Sequence, residues 1–193
     1  PKNFPWTMGW QPTYQAEGQI YAAYILEHKP NAKIAILYQN DDYGKDYVRG
    51  LKEGLGDKAA KMIIAEASYE VTDPTIDSQI VTLKSSGADV FFNVTTPKFA
   101  AQAIKKAGEI GWKPTHYLNS VSNAVGTVLI PGGVENSIGI ISAGYIKDPN
   151  PQSKTGRCAA SAAGRLPAAS ASSAAALALA AALALSAFVA WPS

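Results

Sequence analysis

The feature that most constrains the fold is a regular alternation of short apolar runs with longer segments of helical periodicity. Apolar runs of strand length are "KIAILYQ", "KMIIAEASYEV" and "ADVFFNV", and two more strands are predicted at "THYLNS" and "SIGIISAGY". Segments of about 12 residues with helical spacing stand between them. Consecutive parallel strands need such crossovers, so the pattern predicts an α/β fold, doubly wound, with a mostly parallel sheet flanked by helices.

The predicted helices have recognisable first and last residues. "TYQAEGQIYAAYILEHKP" ends at Pro30, and Asp41 or Asp42 is the predicted N-cap of a helix that stops at Gly56. Thr96 precedes Pro97, the N-cap and first-position order that helices favour. The segment "TIDSQIVTLKSSG" is a further predicted helix.

Composition divides the chain into two parts. Beyond Lys154 there is no Asp, Glu or Lys, and Ala, Ser and Leu dominate. We therefore predict a lobe at residues 1–152 and a separate tail at 153–193. Without the tail's Arg157 and Arg165, basic residues equal the 15 acidic ones. A neutral body argues against a nucleic-acid surface, which needs a basic excess.

Polar segments follow the predicted strands at their carboxyl ends, where open parallel sheets bind ligands. These segments are "QNDDYG" (39–44), "TTP" (95–97) and "NSVS" (119–122). The first two lead into helix N-termini, whose free N–H groups suit an anion or a carbonyl oxygen.

Motifs of most enzyme classes are missing from the sequence. There is no GxGxxG, GxxxxGK[ST] or GxSxG, so dinucleotide, P-loop and hydrolase sites are not supported. His28 and His116 lack partners at zinc spacing, which favours surface or packed roles. The acids of "NDDYG" could ligate a hard cation, but helix capping is the competing interpretation. We expect no cofactor, no metal and no catalysis, with Asp41 or Asp42 as a base in the enzyme alternative.

Several ordered segments resemble the second lobe of type I periplasmic binding proteins, specifically the branched-chain amino acid (Leu/Ile/Val-binding) members that serve ABC importers. The resemblance covers about residues 1–152. It is carried by "GWQPTYQAEGQIYAAYIL", "KIAILYQNDDYGKDYVRGLKEGL", "IDSQIVTLKSSGADVFFNVTTPKFAAQAIKKAGEIGWKP" and "GGVENSIGIISAGY".

The resemblance implies a protein of two hinged lobes that close on a small solute and present it to a membrane permease. "FPWTMGWQP" resembles the incoming hinge, and "AGYIKDPNP" the crossing back to the other lobe. The first lobe would precede Pro1. The start "PKNFPWTMGWQP" has no apolar core and no initiating Met, which suggests a processed or truncated N-terminus. A periplasmic location is implied, or a lipid-anchored one in a Gram-positive host. A single lobe is expected to bind solute weakly and to self-associate.

The resemblance also assigns ligand-binding residues. Tyr43 matches a tyrosine that this lobe points at the ligand, and Thr96 lies where another family tyrosine reaches the pocket. Val121 or a neighbour takes the place of an acid that pairs with the ammonium group of amino acids. Because "NSVS" has no carboxylate, an α-amino acid ligand is in doubt, and a carboxylate or amide ligand is the hypothesis.

The remaining candidates have structural alternatives. Trp10 and Tyr14 could stack on a ligand or act as packing anchors. Ser120 and Ser122 could donate to a ligand or only satisfy their own turn. Asp42 could face the ligand or only cap its helix. A ligand-sensing domain of a receptor is the alternative function, because the same architecture serves both roles.

The tail contains an uncharged Ala- and Leu-rich run from Leu166 to Ser193. It is long enough for a transmembrane anchor, although its apolarity is marginal. A foreign or out-of-frame extension is the preferred interpretation. Cys158, the single cysteine, lies in this tail, so the lobe has no disulfide.

Overall fold

The structure, a computed structural model, describes residue 9, residues 11–144 and the backbone of residues 189–190. The strands are β1 (Ile34–Gln39), β2 (Ile63–Tyr69), β3 (Val90–Val94), β4 (Thr115–Leu118), β5 (Ile141–Ser142) and β6 (Val189–Ala190). The helices are α1 (Tyr14–His28), α2 (Asp42–Leu55), α3 (Ala59–Met62), α4 (Asp77–Ser85), α5 (Pro97–Glu109), α6 (Ile130–Gly132) and α7 (Val134–Ser137). Short 3-10 turns occupy Gly56–Lys58 and Ser120–Ser122, and a π-helical turn occupies Val125–Leu129.

The sheet has the strand order β2-β1-β3-β4-β5-β6. The first five strands in this order pair in parallel, and β6 is antiparallel to β5. The chain therefore winds outward from β1 in both directions, and the predicted doubly wound α/β fold is confirmed.

Helices cover both faces of the sheet. On one face α1 and α2 pack on Ile34, Ile36 and Phe92, and on the other α4 and α5 pack on Leu37 and Phe91. All five residues of β3 are buried, as expected for a central strand with helices on both sides. Strand β2, at the edge, alternates half-buried and exposed residues, and its exposed Glu66 pairs with Lys52 Nζ at 2.7 Å.

The five predicted strands were all longer than the observed ones, and two of them show why. Residues 61 and 62 belong to the short helix α3, whose Met62 is buried, so β2 begins at Ile63. In the described part of "SIGIISAGY", up to residue 144, only Ile141–Ser142 forms a strand. Ser137 ends α7, and Gly139 takes a left-handed φ of 86° that breaks the extended conformation.

Helices α1 and α2 approach each other closely because of a glycine. A Cβ atom on Gly18 would lie 2.5 Å from the carbonyl oxygen of Tyr47. Any other residue at position 18 would therefore push the helices apart. The neighbouring residue, Glu17, is brought against α2 by this contact.

Candidate functional site

The three polar segments lie together at the carboxyl edge of the sheet. The Tyr43 hydroxyl donates to the Thr95 carbonyl oxygen across 3.3 Å, and the Ser122 hydroxyl donates to the same oxygen at 2.5 Å. The amide of Asn119 also donates to it, at 2.9 Å. The expectation that the strand ends meet at one edge is therefore confirmed.

Tyr43 is held at this edge by the first turn of α2. Asp41 is the N-cap, and its carboxylate accepts from the Gly44 N–H at 3.0 Å. A Cβ on Gly44 would collide with the Gln39 carbonyl, so glycine lets the helix start directly against the end of β1. Tyr43 remains partly exposed. Burial, with the charges of Tyr69 and Glu17 next in importance, raises its pKa, so the phenol stays a donor at physiological pH.

A buried carboxylate lies beside Tyr43. Glu17 of α1 is 5% exposed and accepts from the Tyr47 hydroxyl at 2.7 Å. The Ser120 N–H and hydroxyl donate to its two oxygens at 2.8 and 2.6 Å. Burial and then the charge of Glu17 raise the pKa of Tyr47. These contacts join α1 to α2 and to the turn after β4.

One further tyrosine, Tyr14, completes this group of side chains. The Tyr14 ring meets Tyr43 edge-on, with ring centres 5.0 Å apart, and stacks on Tyr47 at 5.1 Å. We call Glu17, Tyr14, Tyr43, Tyr47 and Ser120 the Glu17 cluster. All the hydrogen-bond donors to its carboxylate are uncharged. The ion pairs formed within the described residues use other acids, so no lysine or arginine there pairs with Glu17.

A second, uncharged group lies beneath the edge. The Thr95 hydroxyl donates to Asn93 Oδ1 at 2.7 Å, which leaves Asn93 Nδ2 to donate to His116 Nε2 at 3.1 Å. His116 must then be neutral, with its proton on Nδ1. Burial lowers the pKa of His116 to about 3. We call Asn93, Thr95, His116, Asn119 and Ser122 the Asn93 cluster.

The Asn93 cluster is almost completely hydrogen bonded internally. Asn119 Nδ2 donates to the carbonyl oxygens of Asn93 and Thr95 at 3.1 and 2.9 Å. Asn119 Oδ1 is its exception, since this buried atom has no partner in the described part of the chain. The cluster fixes the relative positions of β3, β4 and the turn that follows each.

A third group surrounds Thr96, which precedes α5. Its hydroxyl lies 3.2 Å from Gln39 Oε1 and 3.2 Å from the Tyr69 hydroxyl, and Tyr69 in turn donates to Gln39 at 3.0 Å. Thr96 takes the predicted N-cap position, but its side chain does not form the capping hydrogen bond. The side chain instead joins the ends of β1, β2 and β3.

Comparison with known proteins identifies the family. A family model described as periplasmic binding protein matches residues 1–190. The chain belongs to the periplasmic binding protein family. The matched range continues past residue 152 into the predicted tail. The resemblance inferred from the sequence is thus confirmed for the family.

Individual members of the periplasmic binding protein family are distant from this chain. Leu/Ile/Val-binding protein homolog 7 of Brucella abortus is 28% identical over 83 residues, which is 43% of this chain and 21% of that protein. The chain thus spans about a fifth of the length of the curated relatives it matches.

Solved structures of periplasmic binding proteins share the fold. A substrate-binding periplasmic protein from Ralstonia solanacearum has a TM-score of 0.65 at 22% identity, over 79% of this chain and 44% of that one. The branched-chain amino acid transporter substrate-binding protein of Streptococcus pneumoniae, in complex with isoleucine, gives 0.60 at 18%, over 75% and 40%. At these identities the likeness concerns the fold.

The residues predicted to bind ligand in this family member differ in their accessibility. Tyr14, Tyr43, Thr96 and Ser120 are partly exposed at one edge. Ser122 is fully buried, and its bond to Thr95 favours the alternative in which it satisfies its own turn.

The other predicted ligand-binding residues are more exposed or lie outside the described residues. Val121 is 38% exposed, and Asp42 is exposed in the first turn of α2, where Asp41 and not Asp42 is the cap. Trp10 lies outside the described residues, as do the hinge segment "AGYIKDPNP" beyond residue 144 and all of the tail except the backbone of Val189–Ala190.

Glu17 was missed by the sequence reasoning. The turn "NSVS" has no acid of its own, but Glu17 brings a carboxylate to it from 103 residues away. The sequence argument against an amino acid ligand depended on the absence of a carboxylate from this turn. The only sequence signal for Glu17 was its position in the first turn of a predicted helix, directly before Gly18. That position does not identify Ser120 as its hydrogen-bond partner.

The described residues contain no group of three or more His, Cys, Asp or Glu side chains suited to a metal ion. No helix in the described part of the chain is long and apolar enough to cross a membrane.

Proposed function

We propose that this chain is the second lobe of an extracytoplasmic solute-binding protein that delivers a small organic solute to an ABC importer. Residues 1–152 form the lobe in this proposal, and residues 153–193 are a tail whose Val189–Ala190 pair with β5. The solute lies between two lobes, of which this chain holds one, and is handed to a membrane permease. The chain acts by binding and release and not by catalysis. It is located in the periplasm, or outside the cytoplasmic membrane as a lipid-anchored protein in a Gram-positive host.

The observation that supports this proposal best is the partly exposed Tyr43 at the carboxyl edge of the parallel sheet. Ligands of open α/β sheets bind at this edge, outside the strand ends. Beneath Tyr43 the polar groups of Thr95, Asn119 and Ser122 are bonded to one another, which gives the ring a rigid support. A preorganised aromatic surface loses little entropy when a solute packs on it.

Family members that were solved with ligands support an amino-acid-like solute. The Streptococcus pneumoniae protein contains isoleucine, and a branched-chain amino acid ABC transporter protein from Thermus thermophilus contains valine. We propose that Tyr43, Tyr14, Thr96 and Ser120 contact the solute, with Val121, Asp42 and Trp10 at its periphery.

Titration of the ¹⁵N-labelled chain with single solutes tests this function. We expect millimolar amino acids, organic acids or amides to shift the amide resonances of Tyr43, Thr96 and Ser120, because a single lobe offers half of the cleft. Tyr43→Ala should abolish the shifts. Tyr24→Ala is the matched control, because Tyr24 lies ten positions after Tyr14 along α1, about 15 Å away. If no solute class shifts these three amides, the proposed function is wrong.

A further inference from the structure

We infer that Tyr21 and Asn123 are positioning residues that couple the carboxyl edge of the sheet to Ala143. Ala143 is the first residue after β5, and the segment predicted to cross to the other lobe, "AGYIKDPNP", begins with it. This inference rests on the proposed function, since it assumes that solute binds at the carboxyl edge. It adds the side chains through which binding at that edge is transmitted to the chain that follows β5.

The pairing of β4 with β5 ends just before Ala143. Leu118 and Ser142 form its last pair. The residue after Leu118, Asn119, donates its N–H to the Asn93 carbonyl oxygen of β3 at 3.2 Å and not to the chain after β5. Ala143 therefore lies beyond the ladder, where its backbone N–H and carbonyl oxygen need partners from side chains or water.

Tyr21 of α1 binds the N–H of Ala143. Its hydroxyl accepts from this N–H at 2.8 Å and donates to the Leu118 carbonyl oxygen at 2.7 Å. The hydroxyl thus lies between the last carbonyl of β4 and the first N–H after β5, two groups that a continued parallel ladder would join directly. Tyr21 is fully buried, and burial followed by the charge of Glu17 raises its pKa, so the hydroxyl keeps its proton. A side chain of α1 therefore sets the distance between β4 and the chain after β5.

Asn123 binds the carbonyl oxygen of Ala143. Its Nδ2 donates to this oxygen at 3.1 Å. Asn123 is the residue that ends the 3-10 turn Ser120–Ser122, which lies at the carboxyl edge. Both backbone groups of Ala143 are therefore held by side chains, one from α1 and one from the turn after β4.

The first route from the carboxyl edge to Ala143 runs through the turn after β4. Tyr43, the residue best placed to contact solute, and Ser122 both donate to the Thr95 carbonyl oxygen. Asn123 follows Ser122 directly and carries the bond to Ala143. A solute that packs on Tyr43 therefore acts on one end of a continuous series of hydrogen bonds and peptide groups.

The second route runs along α1. Ser120 donates through its N–H and its hydroxyl to Glu17, at 2.8 and 2.6 Å. Glu17 lies one helical turn before Tyr21, so the two side chains share one face of the helix. Tyr21 in turn bonds to Ala143. The two routes leave the edge through different elements and end on the two backbone groups of one residue.

A purely structural role for Tyr21 and Asn123 is the competing explanation. Their bonds would then hold Ala143 in place, and solute binding would leave its surroundings unchanged. Coupling is carried by continuous hydrogen-bond networks and rigid elements, but such a network shows coupling only if a change at one end reaches the other. The measurement that separates the two explanations is therefore the response of Ala143 to solute and not the stability of the chain.

The experiment follows the amide resonances of the ¹⁵N-labelled 193-residue chain during titration with L-isoleucine, the ligand of the Streptococcus pneumoniae relative. If isoleucine shifts none of the edge amides, 3-methylbutanoate and then 3-methylbutanamide replace it as probes. The readout is the shift of Ala143 divided by that of Tyr43, a ratio that does not depend on affinity. We expect Ala143 to shift with the same apparent Kd as Tyr43, although it lies outside the proposed solute contacts.

Tyr21→Phe removes only the hydroxyl, and Asn123→Ala removes only the amide group. Because each substitution breaks one of the two routes, we expect the ratio to fall by about half in each variant and to about a tenth or less in the double variant. Asn136→Ala is the matched control, since it deletes an amide that donates to the Gly132 carbonyl oxygen at 3.2 Å, outside both routes, and should leave the ratio unchanged. If the double variant does not fold, the two single variants supply the test.

The outcomes separate this inference from the proposed function. An Ala143 resonance that stays in place while Tyr43 shifts overturns the inference and leaves the proposed function intact. A ratio that is unchanged in both Tyr21→Phe and Asn123→Ala also overturns it and assigns the two side chains a structural role alone. A ratio that falls equally in Asn136→Ala overturns it as well, because the loss is then not specific to the two routes. If neither these probes nor the broader solute panel shifts the edge amides, the proposed function is wrong and the inference fails with it.

Discussion

The Glu17 cluster and the Asn93 cluster meet at the Thr95 carbonyl oxygen, but they are built differently. In the Asn93 cluster the hydrogen-bonding groups are neutral, and nearly all of them are bonded to one another. In the Glu17 cluster a charge is surrounded by neutral donors and partly exposed rings. The Asn93 cluster is neutral, whereas the Glu17 cluster buries a carboxylate for which the described residues supply no lysine or arginine partner. Burial of polar groups therefore does not by itself identify a binding site.

The largest expected effect on stability comes from removing the Glu17 carboxylate together with its hydrogen bonds. Glu17→Ala leaves the Tyr47 hydroxyl and the Ser120 N–H without acceptors, so the free energy of unfolding should fall by about 3 kcal/mol. Urea denaturation measures this change. Glu109→Ala, an exposed deletion of the same charge, should change stability by less than about 0.5 kcal/mol. A loss of under about 1 kcal/mol in Glu17→Ala would show that the cluster does not hold α1 in place.

The next largest expected effect is the pH dependence of stability, which tests whether the Asn93 cluster is neutral. The pKa of His116 is about 3 in the folded chain, against about 6.5 for an unperturbed histidine. Below pH 6.5 His116 therefore binds a proton in the unfolded chain but not in the folded chain. The free energy of unfolding accordingly falls as the pH falls towards 3. Between pH 7 and pH 5 the loss should be about 2 kcal/mol.

Variants at the two histidines isolate this contribution. His116→Gln retains an acceptor for Asn93 and should remove about 2 kcal/mol of the pH dependence between pH 7 and pH 5, measured by urea denaturation at each pH. His28→Gln, which removes an exposed histidine that stacks on Tyr24, is the reference variant for the slope. Identical slopes for the two variants would mean that His116 is protonated in the fold, and the comparison of the clusters would fail.

The smallest effects concern the shared Thr95 carbonyl. Ser122→Ala should cost about 1 kcal/mol, because a buried donor at 2.5 Å is lost. Tyr43→Phe should cost under about 0.5 kcal/mol, since its 3.3 Å bond is long and partly exposed and the carbonyl keeps two other donors. Thermal unfolding of both variants checks the order. The reverse order would place Tyr43 among the structural residues and weaken its proposed contact with solute.

The sequence predicted the fold well because strand length, helix periodicity and capping are local. Asp41, Gly56 and Pro97 each mark a helix end where the structure has one. The site was less predictable because its decisive contacts join distant residues. Glu17 reaches Tyr47 because α1 and α2 approach at Gly18, and it reaches Ser120 across 103 residues of sequence. Thr96 turns its hydroxyl from its own helix to Gln39. The local sequence pattern predicts neither of these hydrogen-bond partners.

The edge strand β2 has a consequence for how the chain behaves at high concentration. Among the described residues no strand pairs with its outer side, and such an edge can pair with a strand of another molecule, the usual first contact in aggregation. Ile64 is 40% exposed on this strand, so an apolar side chain is available to such a contact. Glu66, two positions on and paired with Lys52, places charge where an incoming strand would lie. Such an exposed ion pair adds little to folding stability, and charges on an edge strand disfavour pairing with another molecule.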